Sequence, residues 1–307
     1  MSLSEEIIGV DHGFMNMKTA HYIFPTALSL LEGRPDSMEG ILEYKDKLYS
    51  IDGKKLLAAD IHDKTESEEF YLLTLVCLAK ELKLRGVRTA KVNLATGLPQ
   101  KWYLSQKSDF KKYLSRNREI HFLYEGIHYN VMLEKVGVFS QGYPAYVSKA
   151  NELQLKQKYF VIIDIGGETI DIIPVKSGMI QKEDCRIDTR ATIWLLNNIA
   201  EKIETETFDS LNEDLLLEYM LSATKDEPKK NIYEQIVQRE LSSYCDYVYT
   251  KLKEFRINTK ITPLVFMGGG STYIKKFGKY DSDNTYFITD LMANAKGYEI
   301  IASHIAR

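Results

Sequence analysis

Apolar residues recur along this chain with two periods, and the switches between them mark out strands and helices. The N-terminal stretch reads as strands at 6–11, 17–24, 40–44 and 47–51, with Lys45-Asp46 and Asp52-Gly53 as turn signals. A helical stripe follows through Tyr71, Leu72, Leu75, Leu78, Ala79 and Leu82. It predicts a helix from Ser67, a residue able to cap it, to Leu84, with Gly86 as the stop. Lys91 to Thr96 reads as a strand, Gln100 to Leu114 as a basic amphipathic helix, 119–125 and 127–138 as strands, and 143–153 as a helix.

The second half repeats the theme. Strands at 160–165 and 169–175 form a hairpin, and helices follow over Thr189 to Ile203, Asn212 to Ala223 and Asn231 to Phe255. The last of these has Ile232, Ile236, Leu241, Tyr244, Val248 and Leu252 as its core stripe. Ile261 to Met267 reads as a buried strand leading into Gly268-Gly269-Gly270 and a short helix, and a helix from Thr289 closes the chain. Each half thus opens with a strand-Asp-Gly-strand hairpin and continues with mixed strands and helices. That pattern predicts a duplication of fold rather than of sequence.

Composition narrows the picture. A chain of 307 residues holds two ordinary domains or one large one, and 44% apolar with 27% charged residues is the balance of a folded soluble protein. The net charge of -3 gives no bulk attraction to nucleic acid or an anionic membrane. No apolar run approaches the roughly 20 residues that span a bilayer. The N-terminus has no secretory signal pattern, and the three scattered cysteines suit a reducing cytoplasm.

Four stretches carry candidate chemistry. In Ile7-Ile8-Gly9-Val10-Asp11-His12-Gly13-Phe14-Met15-Asn16-Met17-Lys18 a strand ends in Asp, turns at Gly and returns through polar residues. Backbone N–H groups from Gly13 to Met15 suit an anion nest and Lys18 suits a phosphate; the plain alternative is a hairpin with a surface lysine. The hairpin at Val161–Ile172 places Asp164 at a strand end before Gly166-Gly167, with Thr169 and Asp171 on the return strand. A carboxylate there suits hydrated Mg2+, or is a simple turn acid. The three glycines 268–270 let a backbone pass close to a flat or anionic ligand, or make an ordinary turn. Gln141, at a strand end before a helix, either orients an attacking water or caps the helix. No G-x-x-x-x-G-K-[ST] loop, full G-x-G-x-x-G, nucleophile elbow or metal-spaced histidine pair occurs. The lysine-rich helix 100–114 reads as a solvated face.

In this order the pieces resemble the actin/heat-shock-70/sugar-kinase ATPase superfamily, and more narrowly the ParM/StbA family of plasmid-segregating actin-like ATPases. The narrower resemblance rests on Asp11-x-Gly13-x-x-Asn16-x-Lys18, Phe24-Pro25-Thr26, Gly97-Leu98-Pro99 with Tyr103, and Ser140-Gln141-Gly142. It rests also on Asp164-x-Gly166-Gly167-x-Thr169-x-Asp171, Gly268-Gly269-Gly270 and Ala293-Asn294-Ala295-x-Gly297-Tyr298. The resemblance implies an α/β, actin-like ATPase fold of two ribonuclease-H-like domains around a nucleotide cleft. The domains would be 1–155 with 288–307, and 156–287.

By the same resemblance the protein is an Mg2+-dependent ATPase, using ATP or GTP. Gln141, Asp11 and Asp164 would be catalytic, with Asp11 and Asp164 facing Mg2+ through water. Gly13, Phe14, Met15, Asn16 and Lys18 would hold the β- and γ-phosphates, Gly166, Gly167, Glu168 and Thr169 would form the second phosphate turn, and Gly268, Gly269 and Gly270 would line the adenosine. The family assembles into filaments coupled to DNA by a bound adaptor protein of ParR type. That implies a cytoplasmic protein touching itself and an adaptor, not nucleic acid or membrane directly. A non-polymerising chaperone-like switch and a small-molecule kinase are the alternatives on the same fold. Three departures bear on nucleotide affinity and base preference. Phe14 and Met15 stand where hydroxyl residues often assist the first loop, Glu168 adds negative charge to the second, and Asp188-Thr189-Arg190-Ala191 replaces a glycine near the α/β-phosphates.

Overall fold

A computed structural model describes residues 3–55, 64–225 and 231–305. The chain forms two compact units, Met1–Glu152 with Met292–Arg307, and Leu153–Leu291. In the first unit, β1 (Ser4–His12) runs antiparallel to β2 (Asn16–Thr19), and β2 antiparallel to β3 (Ile23–Pro25). The short β4 (Ala27–Leu30), β5 (Ile41–Tyr44) and β6 (Lys47–Lys55) lie at the far side of the same sheet, beyond β8 (Glu119–Tyr124). Between them, β7 (Thr89–Leu98) is parallel to β1, and β9 (Ile127–Ser140) is parallel to β7. The order is β3-β2-β1-β7-β9-β8-β5-β6-β4.

The second unit repeats the central arrangement. Its strands are β10 (Tyr159–Ile165), β11 (Ile170–Lys176), β12 (Met179–Ile180), β13 (Arg186–Asp188), β14 (Leu264–Met267) and β15 (Thr285–Phe287). They run in the order β12-β11-β10-β14-β15, with β13 also on β11. In both units three antiparallel strands are followed by two parallel ones, so the predicted duplication of fold is present in the topology.

Helices cover these sheets: α1 (Glu69–Leu84), α2 (Gln100–Leu114), α3 (Tyr143–Leu153), α4 (Thr192–Thr207), α5 (Glu213–Ala223), α6 (Ile232–Glu254), α7 (Ser271–Phe277) and α8 (Ala293–Ile305). Helix α1 is buried without interruption from Phe70 to Ala79, so it is a central core helix rather than an amphipathic surface one. Helix α8 lies almost on the backbone beneath it. A Cβ on Gly297 would sit 1.9 Å from the Pro144 carbonyl oxygen, and one on Gly9 would sit 2.1 Å from that of Ala295. These glycines let α8 approach β1 and α3, and that approach positions Asn294 for the site below. No helix of the described residues is long and apolar enough to cross a membrane.

Several element boundaries differ from the sequence reading, two through long-range contacts and others through local turns. The single strand expected at 17–24 breaks into β2 and β3. The Thr19 hydroxyl accepts from the His21 and Tyr22 N–H groups and donates to buried Glu81, closing a turn. Ser67 does not cap α1. The helix begins at Glu69, its flanking Glu68 makes no cap and instead binds Arg116, and the Ser67 carbonyl accepts from the Tyr113 hydroxyl. Helix α4 starts at Thr192 rather than Thr189, because the Asp188 carboxylate captures the Arg190 N–H in an extended stretch. The buried strand expected from Ile261 starts at Leu264, and Ile261 is exposed where the chain turns back on the Asn258 carbonyl. Ile232 is half exposed at the first turn of α6; the rest of its expected stripe is buried. The predicted start of that helix holds: Asn231 and Glu234 form a reciprocal capping box.

Candidate functional site

The antiparallel register of β1 and β2 sets Asp11 directly across from Lys18. Side chains paired in this way share a face, and the Lys18 ammonium lies 3.1 Å from one Asp11 carboxylate oxygen. The other oxygen accepts from the Gln141 amide at 2.6 Å. Asp11 is only 3% exposed. Burial alone would raise its pKa, but Lys18, Lys64 and the Gln141 hydrogen bond hold it below the usual carboxylate range. Asp11 is therefore a buried anion with both oxygens engaged, and Gln141 keeps its carbonyl oxygen as a further acceptor.

The turn between these strands is fastened from outside. The Thr26 hydroxyl donates to the Gly13 carbonyl at 2.7 Å, and the Thr26 N–H donates to the Met15 carbonyl at 3.1 Å. The Gly13 N–H closes the turn onto the Asp11 carbonyl. The N–H groups of Phe14 and Met15 donate to nothing among the described residues. Two neighbouring donors held beside an ammonium form a concavity suited to an anion. The Phe14 ring turns away into the core, edge-on to Phe70 at 6.2 Å, so the missing hydroxyl at this position is replaced by packing.

Beneath the turn lies a polar pair embedded in apolar surroundings. The Lys64 ammonium is buried, donates to the His12 carbonyl and sits 4.8 Å from the centre of the Phe14 ring. His12 is fully buried between two threonines. The Thr74 hydroxyl donates to the Phe70 carbonyl at 2.6 Å and so accepts from His12 Nε2 at 2.8 Å. His12 Nδ1 then accepts from the Thr96 hydroxyl, also at 2.8 Å. Burial, followed by the Lys64 charge, pushes the His12 pKa down to about 3. The ring is a neutral strut tying β1 to β7 and α1.

Gln141 is placed by three fixings. Its N–H donates to the Leu98 carbonyl, the next N–H, of Gly142, donates to the Asn294 side chain at 3.0 Å, and the preceding Ser140 hydroxyl donates to the Gln100 amide oxygen. The two motifs Gly97-Leu98-Pro99 and Ala293-Asn294-Ala295 thus converge on the Gln141 turn.

In the second unit the β10–β11 register places Asp164 opposite Asp171. The Thr169 hydroxyl donates to Asp171 at 2.8 Å, and the Thr169 carbonyl accepts from the Gly166 N–H at 2.9 Å. Thr169 therefore orients Asp171 and closes the turn. The Gly167 N–H donates to nothing among the described residues. The start of α4 is fastened to this turn: the N–H groups of Thr192 and Ile193 donate to the Gly166 and Gly167 carbonyls. Of the three glycines, two are required by the protein's own packing. A Cβ on Gly268 would meet an Asp164 carboxylate oxygen at 2.5 Å, and one on Gly270 would meet the Ile165 side chain at 2.2 Å. Gly269 alone faces open space.

Sequence reasoning singled out Asp11, Gly13 to Lys18 and Gln141, and the first unit gathers them around one carboxylate. It likewise singled out Asp164, Gly166 to Thr169 and Gly268 to Gly270, which the second unit gathers at the ends of β10 and β14. It missed Lys64, Asn294 as the holder of the Gln141 turn, and the strut role of His12. Thr26 and Asn294 stood in motifs that carried the family resemblance, but nothing local in the sequence assigned them partners. Among the described residues no group of three or more His, Cys, Asp or Glu side chains forms a ready-made metal site.

Comparison with known proteins bears out the resemblance at the level of fold. Residues 9–143 match the family model of the N-terminal domain of actin-like proteins. No curated protein matches the sequence. Among solved structures, an archaeal actin homologue superposes with TM-score 0.81 at 19% identity, covering 97% of this chain and 99% of that one. Its complex with ADP superposes with TM-score 0.75 at 19% identity, over the same shares. A ParM that forms a 15-stranded filament, from Clostridium botulinum, superposes with TM-score 0.77 at 18% identity, covering 98% of this chain and all of that one. The chain thus has the actin-like fold along nearly its whole length.

Proposed function

We propose that this protein is an actin-like ATPase that binds ATP (or GTP) with Mg2+, hydrolyses it, and assembles into filaments under nucleotide control. Its role would be to move or position DNA, in the manner of plasmid segregation, through a DNA-bound adaptor of ParR type rather than by direct contact. The observation that carries the reading is the Asp11–Lys18–Gln141 constellation on a strand-Asp-Gly hairpin, in a fold shared with an ADP-binding archaeal homologue and a filament-forming ParM.

The residues fit a magnesium nucleotide. The first unit offers a phosphate the Phe14 and Met15 N–H groups beside the Lys18 ammonium, and the second unit by itself offers the Gly167 N–H. Asp164 and Asp171, opposed in register, are the kind of sparse all-oxygen set that hydrated Mg2+ takes. A metal held there would neutralise charge on the phosphate oxygens, and Asp11 is the corresponding carboxylate of the first unit. Gln141 donates to Asp11, and its carbonyl oxygen would accept a hydrogen from the attacking water and so orient that water's lone pair. Asp11, kept anionic by Lys18 and Lys64, fixes the Gln141 amide the right way round. The β1 strand, His12 and Thr26 keep this arrangement from relaxing, which is where its catalytic value would lie.

Nucleotide control of assembly requires that the nucleotide-bound and free forms differ in affinity for the next subunit. The test is sedimentation at rising protein concentration with magnesium and the imido analogue of ATP, alongside phosphate release from ATP without any acceptor. Pelleting that depends on nucleotide, with phosphate release, is the expected result. Protein that binds the analogue but stays in the supernatant at every concentration would sink the filament reading, and transfer of phosphate to an acceptor would favour a kinase.

A further inference from the structure

Two surface patches on this chain are complementary, and neither takes part in the nucleotide chemistry. The first is the outer face of α2. Gln100 to Arg116 carries five cations and one carboxylate. Arg116 is bound to Glu68 and Lys112 to Asp109, but Lys101, Lys107 and Lys111 are bound to no carboxylate among the described residues. They stand at helical spacing around Leu104, which is 75% exposed. An aliphatic side chain among lysines has the two ingredients of a docking surface, an apolar centre and a charged rim.

The second patch is the end of α4 and the turn into α5, in the other unit. Glu201 to Glu218 carries seven carboxylates and one lysine. Phe208 stands at its centre, 91% exposed and in the left-handed backbone region at φ 63. Folding alone would favour a glycine at this helix end. Glu201 and Glu204, seven and four residues before Phe208, share its helix face and have no ion-pair partner among the described residues. Glu206 of this patch is bound to Arg239, and Asp209 to the Tyr233 hydroxyl. The two patches nonetheless share a design with opposite charge: one exposed apolar side chain beside charges, Lys101, Lys107 and Lys111 or Glu201 and Glu204, that have no ion-pair partner among the described residues.

We infer that the Leu104 face of α2 on one copy of this chain docks against the Phe208 end of α4 on another. The contact is heterologous, so it propagates through successive copies rather than closing on a two-fold axis. It rests on the filament reading above and names the surfaces that would build it. Charge complementarity would set register and speed encounter, while Leu104 and Phe208 supply the dehydrated centre. A basic helix also attracts DNA, but the matching acidic patch on the same chain favours a second copy.

The test is charge reversal. The full-length protein carries Lys107→Glu with Lys111→Glu, or Glu201→Lys with Glu204→Lys, and is sedimented with magnesium and the imido analogue of ATP. All four positions are exposed, so folding is checked by thermal melting and nucleotide binding by a fluorescent ATP analogue. Each double variant alone should need about tenfold more protein to pellet. An equimolar mixture of the two, or one chain carrying all four changes, should return to the wild-type threshold, since each altered patch then meets its opposite. Variants that pellet like wild type would overturn the inference while leaving the filament reading intact. So would folded, nucleotide-binding variants that stay soluble in the mixture and in the fourfold combination. Lysine reversals that abolish a DNA gel shift without changing sedimentation would assign the patch to nucleic acid. A wild-type protein that never pellets would remove both the filament reading and this contact.

Discussion

The neutral, buried His12 makes the first unit sensitive to acid in a way that can be worked out. In the unfolded chain this imidazole titrates near its ordinary value of 6.5; in the folded protein burial and Lys64 push it down to about 3. Its contribution to stability is complete above pH 6.5 and is lost as pH falls from there toward 3, because only the unfolded chain can take up the proton. Integrating between those two values gives about 2 kcal/mol lost between pH 7 and pH 5. That is a large share of the roughly 5–15 kcal/mol that holds a domain folded. Asp11 and Glu299 also have shifted pKa values, in opposite directions, so the measurement must be a difference. His12→Gln keeps polar atoms near Thr74 and Thr96 but does not titrate. The two tryptophans fall one to each unit, Trp102 on α2 and Trp194 on α4. In a Trp194→Phe background, urea unfolding read by Trp102 fluorescence reports the first unit. The parent should lose about 2 kcal/mol more than its His12→Gln partner between pH 7 and pH 5. Equal losses in the two proteins would mean that His12 protonates freely in the fold, and the strut argument would fail.

Gln141→Ala should still bind the fluorescent ATP analogue but release phosphate about 10²-fold more slowly, since it removes water placement and one bond to Asp11 rather than a phosphate contact; unchanged turnover with weakened binding would reverse that assignment. Asp164→Ala should abolish magnesium-dependent phosphate release, and a fully active variant would take Asp164 out of the site. Gly297→Ala should lower the melting temperature. Alanine ordinarily favours a helix by up to about 1 kcal/mol over glycine, but here its Cβ meets the Pro144 carbonyl at 1.9 Å, and overpacking against a backbone costs about 1–3 kcal/mol. A rise in melting temperature would show that α8 can slide away from α3.

The sequence by itself determined the two hairpins, the helices of the second unit and the duplicated fold, because these rest on local periodicity and turn chemistry. Asp11, Gly13, Asp164 and Gly166-Gly167 were legible for the same reason: an apolar strand that delivers a carboxylate into a glycine turn is a short-range pattern. At Ser67 a distant group, the Tyr113 hydroxyl, binds the chain where a local cap was expected, whereas at Thr189 and Ile261 a short turn onto Asp188 or Asn258 takes the N–H that the expected helix or strand would have used. Only the tertiary structure decided that two of the three glycines 268–270 serve packing against β10, that the Phe14 ring belongs to the core, and that Lys64 lies under the first turn. Only it joined Gln141 to Asp11, 130 residues apart, and Asn294 to Gly142, 152 apart. The physical reason is common to all of these. A buried polar group must find a partner wherever the fold offers one, and periodicity reports which face of an element is buried but not which element will lie against it.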